Sequence, residues 1–236
     1  MSMNNQPVIQ LKGVARDFFD GKQKRRVLEK TDIDMYPKEL TIISGPSGSG
    51  KTTLLTIMAL ILSPSEGKVM IKGEDVTDLP ENELATLRLK NYGFVFQNAA
   101  LISSLTVMEN VLIASAVQGG AISKSLHQRA EDILKRLGMS EYANIKSEKL
   151  SGGQKQRVAI GRSLINDPAI ILCDEPTASL DVESSTIVLD TLKGLSEEGR
   201  SVVLVTHDPR VFPYGDRLVQ IEDGKVTSDT GSQIKD

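Results

Sequence analysis

Cysteine is almost absent from this 236-residue chain: Cys173 stands alone, so no internal disulfide can form and no Cys/His spacing offers a zinc site. Tryptophan is missing and aromatics amount to 4%, which leaves no obvious interfacial anchor for a membrane. Long hydrophobic runs are lacking too. The longest, residues 54–62, is interrupted by Thr56 and is about half the ~20 residues that a helix needs to cross a bilayer. Residues 1–10 carry Asn, Gln and Pro with no basic start before an apolar run, so they do not read as a signal peptide. Positive charge is not in excess: 28 basic against 31 acidic residues give a net charge of −3, without the global field that holds a polyanion, and nucleic acid is not an expected partner. These absences describe a chain of a reducing cytosol that does not span a membrane by itself.

What is present is the material of a folded α/β protein. Hydrophobic residues make up 39% and charged residues 25%, enough apolar surface for a sizeable core and too much for disorder. The length corresponds to one domain with an insertion or to two. Short runs at residues 8–14, 32–36 and 40–44 read as strands, with residues 22–26 at a turn. The third run enters a glycine-rich turn and then a buried helix over 51–62. Residues 69–72 and 92–96 are further strand candidates flanking a helix over about 81–90. From Thr106, an N-cap before Val107, to Leu137 the spacing is mainly helical, with a break at Gly119-Gly120. Strands return at 169–173 and 201–206, apolar throughout as strands covered on both faces are, with a helix over about 182–195 between them. Residues 217–222 and 225–227, joined at Asp223-Gly224, read as a terminal hairpin. A parallel core thus brackets a helical insertion.

Gly45-Pro46-Ser47-Gly48-Ser49-Gly50-Lys51-Thr52 matches the G-x-x-x-x-G-K-[ST] phosphate loop and sits between a strand and a helix, where its mechanism needs it. The glycines let successive N–H groups point at phosphate oxygens, and the helix N-terminus adds its positive end. Lys51 is expected to reach the β- and γ-phosphates, and Thr52 to offer a hydroxyl to Mg²⁺. Residues 170–173 are a buried-strand run ending in Asp174 and Glu175. In phosphate-loop ATPases an acid at such a strand end holds the Mg²⁺ shell, the expected role of Asp174. Glu175 would be the base that orients and deprotonates the attacking water. Cys173 reads as a small core residue.

Leu150-Ser151-Gly152-Gly153-Gln154 opens another helix with two more glycines at its start. With the phosphate loop, this signature makes the chain resemble the ATP-binding cassette (ABC) family over roughly residues 8–226. The resemblance implies a phosphate-loop NTPase cassette: a mainly parallel RecA-like core with an N-terminal antiparallel β subdomain and an inserted α-helical subdomain. As a single domain of residues 1–236, it would divide into a core of 1–98 and 162–236 and a helical part of 99–161. It further implies that Gln97 contacts Mg²⁺ and links the site to a membrane partner, that Ser179-Leu180-Asp181 crosses a dimer interface, and that His207 stands near the γ-phosphate. Thr53 joins the nucleotide-binding residues. Phe18, with Phe19 as neighbouring candidate, sits where the family has an aromatic that stacks on adenine. His127 reads as solvated helix.

The mechanism implied is a head-to-tail pair, each ATP held between the phosphate loop of one copy and Ser151 to Gln154 of the other, with hydrolysis reopening it. The expected cofactors are ATP and Mg²⁺. Gly93-Phe94-Val95-Phe96-Gln97-Asn98, Leu105-Thr106-Val107-Met108-Glu109-Asn110-Val111 and the run from Asp174 to Asp181 are similar to the branch of MacB-, LolD- and DevA-like ATPases. That branch implies a separate membrane permease subunit of the MacB, LolC-E or FtsX type, a lipophilic or envelope substrate, and a peripheral place on the cytoplasmic face of the inner membrane. An FtsE-like regulatory ATPase that moves no substrate is the alternative. Ile102-Ser103-Ser104 and residues 146–149 depart from the branch's pattern near the expected partner contact, and Gly161 replaces its usual Ala. The basic cluster at 22–26 reads first as a solvated hairpin tip and second as a lipid contact.

Overall fold

The computed structural model describes residues 6–21, 23–116 and 122–231; the break expected at Gly119-Gly120 and Lys22 of the basic cluster lie outside them. A six-stranded sheet forms the centre in the order β10 (Lys225–Asp229), β9 (Arg217–Glu222), β3 (Glu39–Ser44), β8 (Ser201–Thr206), β7 (Ile170–Asp174) and β6 (Tyr92–Phe96). All its neighbours are parallel except the β9–β10 hairpin. Both faces of the central strands are covered, and their alternation divides two cores. Leu40, Ile42, Val202 and Leu204 face one way, packed with α3 (Val107–Ala116), α4 (Lys124–Arg136), α5 (Gly152–Leu164) and α6 (Val182–Glu197). Ile43, Val203 and Val205 face the other, against α1 (Lys51–Met58) and a second, antiparallel sheet. That sheet has the order β2 (Gln23–Met35), β1 (Ile9–Asp20), β4 (Glu66–Ile71), β5 (Glu74–Asp75), and α2 (Glu81–Asn91) leads into β6. The expected fold class, a parallel core with an antiparallel β part and inserted helices, is the observed one.

Three local expectations change. Residues 23–26 are strand rather than turn: the charged tip of the β1–β2 hairpin pairs across the ladder, with Asp17 accepting from Arg26 at 2.8 Å and bridged by Lys24 at 2.9 Å. Such a polar strand has no apolar alternation to announce it. β1 runs past residue 14 through register shifts between Leu11 and Asp17 that break its period of two. The helix after the phosphate loop stops at Met58 rather than residue 62, because Leu60 turns left-handed (φ 58°) and the N–H groups of Ile61 and Leu62 both return to the Thr56 carbonyl.

Helix starts follow local chemistry. Thr106 caps α3 as expected, its hydroxyl accepting from the Glu109 N–H (3.2 Å) while the Glu109 carboxylate accepts from the Thr106 N–H (2.8 Å), a reciprocal box. The glycine at 161 lets α5 lie close: a Cβ there would stand 3.1 Å from Leu137, 3.3 Å from Val111 and 3.4 Å from Ile133, which explains why a residue poor in helix propensity occupies this position. The hairpin tip closes the architecture around the phosphate loop. The Gly224 N–H donates to the Ser49 carbonyl (3.0 Å) and its carbonyl accepts from the Glu29 N–H (2.8 Å), tying loop, hairpin and β2 together.

Candidate nucleotide site at the carboxyl edge of the sheet

Parallel strands bring their carboxyl ends to one edge, and four of the predicted motifs follow those ends. Ser44 of β3 pairs with Thr206 of β8, Val205 of β8 with Asp174 of β7, and Asp174 with Phe96 of β6. The phosphate loop, His207, Glu175 and Gln97 therefore leave the same edge on neighbouring strands, the edge at which open α/β sheets bind ligands.

At β3 the chain turns at Gly45, where a Cβ would lie 2.0 Å from the Ile221 carbonyl oxygen of β9, so no other residue fits. Pro46, Ser47 and Gly48 complete the turn, and Gly50 (φ 101°) caps α1. Lys51 is buried, and its Nζ donates to the carbonyls of Gly45 (2.8 Å) and Pro46 (2.7 Å), which holds the ammonium across the loop. Burial pulls its pKa down, opposed by the nearby charges of Glu175 and Asp174. The Ser49 hydroxyl is buried in the loop with no partner, a polar group of the kind a phosphate oxygen satisfies. Thr52, exposed, and Thr53, half-buried, stand in the first turn of α1.

Asp174 is half-buried, and burial first, then the charge of Glu175, raises its pKa, with Lys51 acting in the opposite sense. Its neighbour is more constrained. Glu175 takes a left-handed backbone (φ 49°), its N–H donates to the Val205 carbonyl (2.9 Å), and its carboxylate accepts from the Thr206 hydroxyl (3.2 Å) and meets His207 Nδ1 at 2.6 Å. Strain of this kind persists where the surroundings over-determine it. Thr206 had no motif to mark it; its position one residue before His207 on a strand beside β7 is the only signal. Cys173 is fully buried and burial raises its thiol pKa, as a core residue requires.

No group of three or more His, Cys, Asp or Glu able to hold a metal occurs among the described residues. One carboxylate and a hydroxyl at a helix start suit Mg²⁺, which keeps waters and substrate phosphates in its shell rather than filling a protein cage. Gln97 is exposed in the turn after β6. Of the two aromatic candidates, Phe18 is 39% exposed with the Arg16 guanidinium 4.8 Å over its ring, whereas Phe19 is 72% exposed. A ring with one face covered and the other open is the better platform for a base.

The signature stands on a different element. Ser151 caps α5 in a reciprocal box with Gln154: its hydroxyl accepts from the Gln154 N–H (3.3 Å) and its own N–H donates to the Gln154 side chain (2.9 Å). Gly152 is exposed, and Gly153 packs where a Cβ would meet the Ser184 hydroxyl at 2.4 Å. Asp181 is the N-cap of α6, accepting from the Ser184 N–H (2.8 Å) and hydroxyl (2.9 Å), bonds that lower its pKa. Signature and Asp181 therefore share Ser184 as a neighbour. The two stretches that depart from the branch pattern also meet: the Ser147 hydroxyl donates to the Ile102 carbonyl (2.9 Å) and its N–H to that of Leu105 (3.0 Å). His127 is exposed on α4, as expected.

The family model described as ABC transporter matches residues 28–178. The chain is 43% identical over 222 residues to the lipoprotein-releasing system ATP-binding protein LolD 1 of Caulobacter vibrioides, covering 94% of this chain and 95% of that protein. It is 40% identical over 227 residues to the macrolide export ATP-binding/permease protein MacB of Photorhabdus laumondii, covering 96% of this chain and 35% of the relative. The chain thus spans about a third of the length of the MacB proteins it matches. Among solved structures, the cassette MJ0796, in a dimeric post-hydrolysis state bound to ADP and Pi, superposes with a TM-score of 0.86 at 38% identity, over 97% of this chain and all of that one. No helix among the described residues is long and apolar enough to cross a membrane.

Proposed function

This chain belongs to the ABC transporter family as an ATP-hydrolysing cassette close to MacB and LolD, and from that premise we propose that two copies close head to tail around two ATP molecules, using hydrolysis to drive a membrane-spanning permease. The observation that carries the reading is the convergence of Lys51, Asp174 and the Glu175–His207 contact on one sheet edge. In this reading Gly45, Pro46, Ser47, Gly48, Ser49, Gly50 and Lys51 bind the phosphates, Thr52 and Thr53 stand beside them, and Phe18 stacks on adenine. Thr52, Asp174 and Gln97 would hold Mg²⁺, which when bound neutralises phosphate charge between the oxygens where the bond breaks. Glu175 orients the attacking water and takes its proton at the carboxylate. His207, fixed by Glu175, stands at the γ-phosphate. Ser151, Gly152, Gly153, Gln154 and Asp181 act on the nucleotide of the opposite copy, with α5 offering its free N-terminal N–H groups.

The helical part, residues 99–161, receives a cytoplasmic helix of a MacB-, LolC-E- or FtsX-type permease beside Gln97. A cavity of about 420 Å³ at the border of that part with the core, lined by Arg88, Phe94 and Phe96 on the core side and by Ala100 and Ala114 on the helical side, supports this placement. The core is then residues 1–98 and 162–236. In this reading the chain works at the cytoplasmic face of the inner membrane, on export or extraction of a lipophilic or envelope substrate; two of its relatives are named for macrolide export and for lipoprotein release. The test is Mg²⁺-dependent ATP hydrolysis by the purified chain. Lys51→Ala should abolish both binding and turnover; Glu175→Gln should bind ATP normally and turn over ~10²–10⁴-fold more slowly. A Glu175→Gln variant with normal turnover contradicts the assigned base.

A further inference from the structure

The turn that carries Gln97 is gripped at both ends by one helix. The Phe96 carbonyl just before it accepts from Gln156 Nε2 (3.0 Å), and the carbonyls of Ala99 and Ala100 just after it accept from the two terminal nitrogens of Arg162 (2.7 and 2.5 Å). Both donors belong to α5. Gln156 is only 2% exposed, and Arg162 has no carboxylate within ion-pair distance among the described residues, so the guanidinium is committed to these two backbone oxygens. The gripped backbone is unusual in itself. Ala99 and Ala100 are consecutive left-handed residues (φ 54° and 46°), a conformation that side-chain-bearing residues hold only when their surroundings impose it. Helix and strand also touch directly, since a Cβ at Gly93 of β6 would stand 2.6 Å from the Ser163 carbonyl of α5. Gln97 is exposed and lies between the two anchors, which hold the backbone on either side of it.

We propose that Gln156 and Arg162 are positioning residues for Gln97, and that α5 is one rigid lever with the Ser151–Gln154 signature at its start and the Gln97 turn held by its middle and end. A shift of α5 when the signature engages the opposite copy displaces both anchors together and sets where the Gln97 amide lies. The lever ties one copy's signature to the same copy's own hydrolytic site. The inference rests on the role of Gln97 in the reading above.

The test is a double-mutant cycle on the full chain. The variants are Gln97→Ala, Arg162→Lys, which keeps the charge and loses the two-pronged grip, and Gln156→Met, which keeps the volume and loses the donor. Each is measured alone, and the latter two also with Gln97→Ala. Arg162→Lys and Gln156→Met should each lower kcat about 10-fold, with KM for ATP and metal-free ATP affinity within about 3-fold of the parent. Mn²⁺ affinity of the ATP complex, read by electron paramagnetic resonance, should fall by a similar factor in the same variants. With Gln97 already replaced, neither second substitution should slow turnover more than about 2-fold further. Multiplying losses in the doubles overturn the lever, as does a loss of metal-free ATP binding in step with kcat. If Gln97→Ala turns over normally, the role of Gln97 falls first and the lever with it.

Discussion

At Glu175 a side chain and its backbone are constrained together: the left-handed φ of 49° and the contacts to Thr206 and His207 fix one carboxylate orientation. His207→Ala removes the Nδ1 contact and should slow turnover about 10–100-fold while ATP affinity holds, checked by single-turnover hydrolysis beside equilibrium binding. Gly45 is constrained by space instead. Gly45→Ala drives a methyl to within 2.0 Å of the Ile221 oxygen, so the loop must open, and ATP affinity in titration calorimetry should fall by more than about 10-fold. The residue types of the site were legible because each motif encodes its chemistry: glycines for close approach, a lysine for phosphate, acids at a strand end. Their supporting partners were not. Ile221 and Gly224 act through backbone atoms, which leave no trace in composition, and Thr206 is an ordinary strand residue until its ladder partner is known. Ser151 and Asp181, expected at the nucleotide, are also helix caps, and a capping Ser or Asp looks the same in sequence as a ligating one.

Among the elements, the strands covered on both faces were readable almost to the residue because their apolar runs are continuous, whereas β1 and β2 were read short because bulges and a charged tip erase the alternation. α5 is fitted to its neighbours at Gly161. Gly161→Ala trades about 1 kcal/mol of helix propensity against contacts of 3.1–3.4 Å, so its thermal midpoint should stay close to the parent's. Gly161→Leu should cost ~1–3 kcal/mol through overpacking against Val111 and Leu137, measured by urea unfolding. Asn110 is fully buried on α3, its Nδ2 donating to the Ile102 (3.0 Å) and Thr106 (3.0 Å) carbonyls and its Oδ1 accepting from the Ile102 N–H (2.8 Å). Asn110→Ala orphans those backbone groups at a cost of ~1–3 kcal/mol, and hydrogen exchange should show the loosening confined to residues 102–106 and their partner Ser147.

For the molecule as a whole, the sequence pointed to one α/β unit with an inserted helical part, and the three packed layers realise it through alternation on β3 and β8. Global electrostatics was legible only as a net charge; which acids are paired required the fold. Arg26, then Lys24, hold Asp17 well below the usual carboxylate range, Lys68 does the same for Asp75, and Arg217 lowers Asp229. Carboxylates with lowered folded pKa values bind protons more weakly folded than unfolded. Their stabilisation is therefore complete above about pH 4 and is lost as the pH falls below it. Asp174 has the opposite sign, because burial raises its pKa, and it opposes folding at neutral pH. Acid titration of the folded state should show stability falling steeply below pH 4, with a shallower slope in Asp17→Asn. The account as a whole rests on two copies sharing two nucleotides, and sedimentation of Glu175→Gln with ATP and Mg²⁺ addresses that most directly. It predicts a dimer with ATP and a monomer with ADP; a chain that binds ATP to saturation and remains a monomer contradicts it.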